Sequence, residues 1–238
     1  MTLATRACAT LLVGLITVAC GSATTHRKPP PATVDGCVKL DQTAQRVAIH
    51  PPGAATIPAT MVGSAPTTLV LTNESDEDLC SWLPFVRTLE HHGYSALLYD
   101  YVDPSALPAE ARAAVRAAQT HGARRVVLMG ASVGARASIE AAAEHPPGVV
   151  AAIGLSAERT VRSDPTDLIG PARHVSVPVL MISAEHDPFT ENATRPLLAA
   201  LGSRRKQALI VPGLDHGTSL LPDTGVEATI LGFLAAGG

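Results

Sequence analysis

The sequence predicts a three-layer α/β fold, in which a mostly parallel central sheet is covered by helices on both faces. Short apolar runs rich in β-branched residues alternate with longer helix-favouring segments from residue 46 onward. This alternation is typical of parallel strands that are joined by crossover helices. The 238 residues are 46% hydrophobic and 16% charged, which is enough apolar material for one large core.

The individual elements follow from apolar spacing and from glycine or proline at their ends. Two outer strands are expected at 46–49 and 59–62, joined by a Pro-Pro-Gly turn. The remaining strands are expected at 67–72, 95–101, 126–129, 149–156, 177–183 and 208–211. The helices are expected at 79–92, 108–121, 135–144, 192–201 and 226–236.

One turn in this pattern carries a chemical signal. Residues 130–134 read Gly-Ala-Ser-Val-Gly and lie between a buried strand and an alanine-rich helix. A strand-to-helix turn this sharp leaves little room for side chains two residues before and after its central serine, and Gly130 and Gly134 meet that need. The turn predicts a strained backbone at Ser132 with an exposed hydroxyl, as a nucleophile requires.

Two further residues follow later strands. Asp187 lies in a Ser-Ala-Glu-His-Asp-Pro segment after strand 177–183, and His216 lies in a Pro-Gly-Leu-Asp-His-Gly segment after strand 208–211. The carboxyl ends of parallel strands meet at one edge of a sheet, so Ser132, Asp187 and His216 are expected to converge there.

The chain order Ser…Asp…His after successive strands resembles the α/β-hydrolase superfamily, nearest to dienelactone-hydrolase-like or small esterase members without a lid. The resemblance spans residues 46–236. It implies that Ser132 is the nucleophile, that His216 is the general base and then acid, and that Asp187 orients His216. Glu185 is the alternative acid.

The resemblance also implies an oxyanion hole made from two backbone N–H groups. Val133 supplies one, and the loop after strand 67–72 supplies the other, for which Glu74 is the expected donor and Asn73 or Ser75 are alternatives. Many relatives carry His-Gly at this loop, where the present chain has Thr-Asn. The acidic run at 74–78 is interpreted as a solvated loop, or alternatively as a feature that disfavours anionic substrates.

The first 20 residues resemble a bacterial lipoprotein signal peptide. Arg6 precedes an apolar stretch at 7–19 that is too short to span a bilayer, and Ala-Cys-Gly-Ser closes it. The resemblance implies lipidation of Cys20, and cleavage after Ala23 to give a soluble secreted protein is the alternative. Residues 21–36 are polar and rich in proline, which indicates a flexible tether before a domain at 37–238.

Two cysteines, Cys37 and Cys80, remain in this domain once the signal peptide is set aside. An even pair in an exported domain predicts a disulfide, with two buried free thiols as the alternative. The formal net charge of −3 and the lack of a basic tail argue against nucleic acid as a partner. No metal-ligand cluster or phosphate-binding loop is evident, so no cofactor or metal is expected.

The expected activity is hydrolysis of small acyl esters through an acyl-enzyme intermediate, by an exported protein held at the outer face of a membrane. Residues 157–175 are too short for a full cap and contain two prolines, which predicts an open site. A short-chain carboxylesterase is the first interpretation. A catalytically inactive binding lipoprotein, or an acyltransferase or peptidase with the same triad, is the alternative; the sequence leaves the oligomeric state open.

Overall fold

The computed structural model describes Cys37, residues 43–162 and residues 164–237. The predicted signal peptide, Cys20 and the predicted tether lie outside these described residues. The eight strands are β1 Ala44–Ile49, β2 Ile57–Val62, β3 Thr67–Thr72, β4 Ser95–Tyr99, β5 Arg125–Ala131, β6 Val149–Leu155, β7 Val179–Ala184 and β8 Lys206–Val211. The α-helices are α1 Leu83–His91, α2 Leu107–Thr120, α3 Val133–Ala143, α4 Ile169–Ala172, α5 Thr194–Ala200 and α6 Thr224–Ala235.

All eight strands form one sheet, in the order β1-β2-β4-β3-β5-β6-β7-β8. β1 pairs with β2, and β2 with β4, in antiparallel fashion, whereas the pairs from β4 through β3 to β8 are parallel. The parallel strands therefore present their carboxyl ends at one edge, and β3, β5 and β6 lie side by side at its centre.

Two hydrophobic clusters cover the two faces of the sheet. Because side chains alternate along a strand, Val70 of β3 joins the cluster under α2 and α3, whereas Leu69 and Leu71 join the cluster under α1 and α6. After their first residues, the central strands β3 and β5 are buried along their length, as strands covered on both faces are. The predicted three-layer arrangement is confirmed.

Several boundaries differ from the sequence prediction for local reasons. The predicted helix 79–92 begins as a 3₁₀ turn at Leu79–Trp82, and the α-helix proper starts next to Pro84, which fits the first turn of a helix. β8 begins at Lys206 rather than at residue 208, because it is an edge strand whose first residues are exposed and lack an apolar signal. β4 ends at Tyr99 and not at residue 101.

A disulfide joins Cys37 to Cys80, with Cα atoms 5.9 Å apart, as the sequence predicts. It fastens the start of the described chain to the 3₁₀ turn that follows β3. Within the described residues, no helix has the length and apolar character needed to cross a membrane.

Candidate active site

The turn after β5 has the strained geometry that the glycine spacing predicts. Ser132 has φ 53° and ψ −118°, a conformation that non-glycine residues rarely adopt. A Cβ on Gly130 would lie 2.2 Å from the Gly134 carbonyl oxygen, and a Cβ on Gly134 would lie 2.2 Å from the Thr72 carbonyl oxygen. Glycine is therefore required at both positions, because the first turn of helix α3 lies against Gly130 and the end of β3 lies against Gly134.

His216 and Asp187 meet at the same edge of the sheet. The Nδ1 atom of His216 lies 2.8 Å from Oδ2 of Asp187, whose side chain is fully buried, while the imidazole remains 21% exposed. The structure thus places Asp187, rather than Glu185, against the imidazole. Glu185 is exposed to solvent.

Hydrogen bonds keep the Asp187 carboxylate ionised. Burial alone would raise its pKa, but it accepts bonds from the Thr190 hydroxyl at 2.7 Å and the Phe189 backbone N–H at 3.0 Å. Together with His216 and the Ser156 hydroxyl, these donors hold the pKa of Asp187 below its ordinary value of 3.8. A negative charge beside Nδ1 favours the imidazole tautomer that leaves Nε2 as a proton acceptor.

The segment that follows His216 is fixed from two sides. The Gly217 N–H donates to the Ser156 hydroxyl at 3.1 Å. On the other side, the Thr218 N–H and hydroxyl both donate to Oε1 of Glu74, at 3.0 Å and 2.6 Å. A Cβ on Gly217 would lie 2.0 Å from Oε2 of Glu74, so the carboxylate occupies the space that a side chain would need.

Glu74 therefore departs from one sequence-based interpretation. The acidic run was expected to be a solvated loop, and residues 75–77 are indeed exposed, but Glu74 is only 5% exposed. Its carboxylate turns inward because it finds two donors at Thr218, which satisfy a charge that burial would otherwise leave unpaired. It links the loop after β3 to the loop that carries His216.

The loop after β3 lies against the strand-to-helix turn at residues 130–134, which we call the elbow. The amide of Asn73 donates to the carbonyl oxygens of Glu74 at 3.1 Å and of Glu77 at 2.5 Å, which closes the loop on itself. Among the described residues, neither the Val133 N–H nor the Glu74 N–H donates a hydrogen bond. Each of these two N–H groups can therefore donate a hydrogen bond to a ligand.

One residue at this edge, Glu158, was not predicted from the sequence. The Ser132 hydroxyl donates to Oε1 of Glu158 at 2.7 Å, and within the described part of the chain no hydrogen bond joins it to the His216 ring. Glu158 comes three residues after the end of β6, just as Asp187 comes three residues after the end of β7. This shared spacing of three residues from the end of a strand could have identified Glu158 from the sequence.

The surroundings of these residues are open. The described residues between β6 and β7 include one helix of four residues, α4, and no larger cap. Phe189 is 63% exposed and its ring lies 4.9 Å, centroid to centroid, from that of His216. A shallow groove of about 280 Å³ runs between Arg159 and Thr160 on one side and the loop after Asp187 on the other. In the described chain, no three His, Cys, Asp or Glu side chains cluster as metal ligands.

Comparisons by sequence find nothing: no protein-family model matches the chain, and no curated protein matches it. Comparisons of structure find many matches, and the three described next are each less than 20% identical to this chain. A dienelactone hydrolase from Anabaena variabilis is 19% identical, with a TM-score of 0.65 over 82% of this chain and 96% of that chain. An esterase from Pyrococcus furiosus is 11% identical, with a TM-score of 0.73 over 88% of this chain and 96% of that chain. Est1E from Butyrivibrio proteoclasticus is 14% identical, with a TM-score of 0.64 over 80% of this chain and 99% of that chain.

These similarities define the class of fold. The chain has the three-layer α/β-hydrolase fold, as the order of its motifs predicts. Because a shared fold hosts many activities, what the protein does has to be argued from its own site.

Proposed function

We propose that the protein is a serine hydrolase that cleaves small acyl esters, with Ser132 as nucleophile, His216 as general base and acid, and Asp187 as its orienting partner. One observation carries the proposal. A serine with strained backbone dihedrals at the end of β5 shares an edge of the sheet with a histidine whose Nδ1 lies 2.8 Å from a buried carboxylate. This is the set of groups that activates a serine hydroxyl for acyl transfer.

The reaction follows from these positions. The Ser132 hydroxyl attacks the ester carbonyl carbon while Nε2 of His216 takes the hydroxyl proton, and the carbonyl becomes a tetrahedral oxyanion. The N–H groups of Val133 and Glu74 donate to that oxyanion. When the intermediate collapses, the alcohol leaves with the proton from His216, and the acyl group stays on Ser132. Water then attacks the acyl-enzyme, with His216 again accepting and returning a proton.

The first step requires the Ser132 hydroxyl to leave Glu158. Rotation about the Cα–Cβ bond moves a serine hydroxyl between staggered positions at little cost. Catalytic hydrogen bonds are often formed only in the complex with substrate, so the contact with Glu158 describes the protein before the substrate binds.

The openness of the site favours small substrates. The residues between β6 and β7 carry one short helix, and the groove beside Phe189 is shallow. Such a site offers little enclosed apolar surface to a long acyl chain, whereas a short acyl group needs little. We therefore expect a short-chain carboxylesterase, with acyl transfer to other acceptors or peptide cleavage as lesser activities of the same triad.

The esterase assignment is tested with p-nitrophenyl acetate, butyrate, octanoate and decanoate. We expect hydrolysis of the first two to exceed that of the last two, and Ser132→Ala to abolish it with the fold intact by circular dichroism. Equal hydrolysis by the wild type and Ser132→Ala would contradict the assignment.

A second function has one observation in its favour. The Ser132 hydroxyl donates to Glu158 and not to His216, which suits a domain that binds ligands without turning them over. In that case a folded wild-type protein would hydrolyse none of the four esters. The same assay therefore separates the two functions.

We also propose that the protein is exported and held at the membrane by lipid on Cys20. The disulfide between Cys37 and Cys80 supports an oxidising compartment outside the cytoplasm. The anchor is tested by expressing the full chain in bacteria and measuring incorporation of labelled palmitate. Label is expected on the wild type and absent from Cys20→Ala. A soluble, unlabelled wild-type protein would contradict lipidation and favour simple secretion.

A further inference from the structure

A carboxylate that holds the nucleophile is the least explained feature of the site. Oε1 of Glu158 accepts the Ser132 hydroxyl at 2.7 Å, and within the described residues no ion pair neutralises Glu158. Two arginines of this region are engaged elsewhere: Arg159, the next residue in the chain, pairs with Asp167, and Arg136, which contacts the Arg159 carbonyl, pairs with Glu140 and Asp164. The triad chemistry described above does not need this charge.

The position of Glu158 is fixed by the elbow helix itself. Arg136, one turn after Ser132 on α3, is 2% exposed and donates through Nη1 to the carbonyl oxygen of Arg159 at 2.5 Å. Its Nη2 atom lies 2.6 Å from Oδ2 of Asp164, farther along the same segment. The backbone next to Glu158 is therefore bound to helix α3, which follows Ser132. This contact keeps the side chains of Glu158 and Ser132 close together.

This placement puts the charge beside the acyl group of a bound ester. For attack, the carbonyl carbon must lie about 3 Å from the Ser132 oxygen. A substituent on the neighbouring α-carbon can then lie within about 5 Å of the Glu158 carboxylate, where a charge at a partly buried site is felt strongly. An ammonium group there gains an ionic hydrogen bond, whereas a carboxylate is repelled.

We propose that Glu158 is a specificity-determining residue that selects acyl groups bearing an α-amine, so that the preferred substrates are α-aminoacyl esters. This inference rests on the proposed esterase function and names its substrate class. The ammonium group replaces the Ser132 hydroxyl as the hydrogen-bond donor to Glu158. The hydroxyl is then released towards Nε2 of His216, so the charge that binds the substrate also frees the nucleophile.

Three ethyl esters of nearly equal shape test the proposal. Ethyl alaninate carries an ammonium on its α-carbon, ethyl isobutyrate carries a methyl group there, and ethyl hydrogen methylmalonate carries a carboxylate. Hydrolysis is followed by gas chromatography of the released ethanol at pH 6.5, where most of the alaninate is protonated. For the wild type, kcat/KM for the alaninate is expected to exceed that for the isobutyrate by about tenfold or more, with the methylmalonate slowest.

Glu158→Gln removes the charge and keeps an oxygen that can accept from Ser132. In this variant the ratio of alaninate to isobutyrate is expected to fall about tenfold from its wild-type value, and hydrolysis of the methylmalonate is expected to rise. Glu185→Gln is the matched control, because it makes the same change of charge at an exposed residue after β7 and should leave the wild-type ratio unchanged. Thermal melting establishes that each variant is folded.

A wild-type enzyme that hydrolyses the isobutyrate as fast as the alaninate would overturn the proposal, whether or not Glu158→Gln folds. An equal ratio in the wild type and a folded Glu158→Gln would overturn it as well. Failure of the esterase function itself looks different, because in that case none of the three ethyl esters and none of the p-nitrophenyl esters is cleaved.

Discussion

Replacement of Gly217 by alanine gives the sharpest test of how the loop carrying His216 is held. Gly217 has φ +57°, and its missing Cβ would lie 2.0 Å from Oε2 of Glu74. Glu74 is a flexible side chain, but it is buried and accepts two bonds from Thr218, so it cannot move without losing them. The substitution therefore combines backbone strain with the loss of a buried interaction.

The two contributions can be estimated separately. A non-glycine residue in the left-handed region costs about 1 kcal/mol or slightly more. Disturbing the hydrogen bonds from Thr218 to a buried carboxylate adds about 2 kcal/mol. We therefore expect Gly217→Ala to lower the free energy of unfolding by about 3 kcal/mol. Because a displacement of His216 by about 1 Å would spoil proton transfer, kcat/KM for p-nitrophenyl acetate should fall about 10²-fold.

Urea unfolding measures the stability, and Gly53→Ala is the matched control. Gly53 has φ +70° with nothing within 4 Å of its virtual Cβ, so only the backbone cost of about 1 kcal/mol applies. In a Glu74→Ala background, where the obstructing carboxylate is gone, Gly217→Ala should likewise cost only about 1 kcal/mol. In the wild-type background, Gly217→Ala should lower the free energy of unfolding more than Gly53→Ala does. If it does not, Glu74 does not hold the loop that carries His216.

The other predictions concern Asp187 and the disulfide. Asp187→Asn should lower kcat for p-nitrophenyl acetate about 10⁴-fold by favouring the wrong imidazole tautomer, and Glu185→Gln should leave kcat unchanged; similar losses in both would contradict the assignment. Because the pKa of Asp187 is below 3.8 in the folded protein, its stabilisation is present above that pH and lost as pH falls through the lower folded value. Urea midpoints from pH 6 to pH 2 should therefore fall less steeply for Asp187→Asn than for the wild type, and parallel curves would refute this. Since Cys37 and Cys80 are 43 residues apart, the Cys37→Ser/Cys80→Ser variant should lose about 2–4 kcal/mol of unfolding free energy, and an unchanged urea midpoint would count against that.

The central strands and the elbow could be predicted from the sequence because their signals are local. A buried parallel strand is apolar along its whole length, and β3 at Thr67–Thr72 matches the predicted range residue for residue. Gly130 and Gly134 are required by contacts within one strand-turn-helix unit and its neighbour β3. The edge strand β8 was shortened in the prediction, because an exposed strand gives no continuous apolar run.

The roles of Glu74 and Glu158 depend on distant parts of the chain. Glu74 meets Thr218 across 144 positions, and Glu158 meets Ser132 across 26. An acidic residue in a polar stretch suggests solvent exposure, and the neighbouring residues give no indication that its side chain turns inward. Chain order predicted which loops share the edge of the sheet and that Asp187 lies there, but not that the side chains of Glu74 and Glu158 also turn towards it.

Labelling with a fluorophosphonate probe, followed by intact-mass measurement, tests most directly the claim that Ser132 is a nucleophile activated by His216. We predict one adduct per chain, mapped to the peptide containing Ser132, absent from Ser132→Ala and formed at least about 10²-fold more slowly in His216→Ala. A folded wild-type protein that forms no adduct, or an adduct that persists in Ser132→Ala, would contradict the claim.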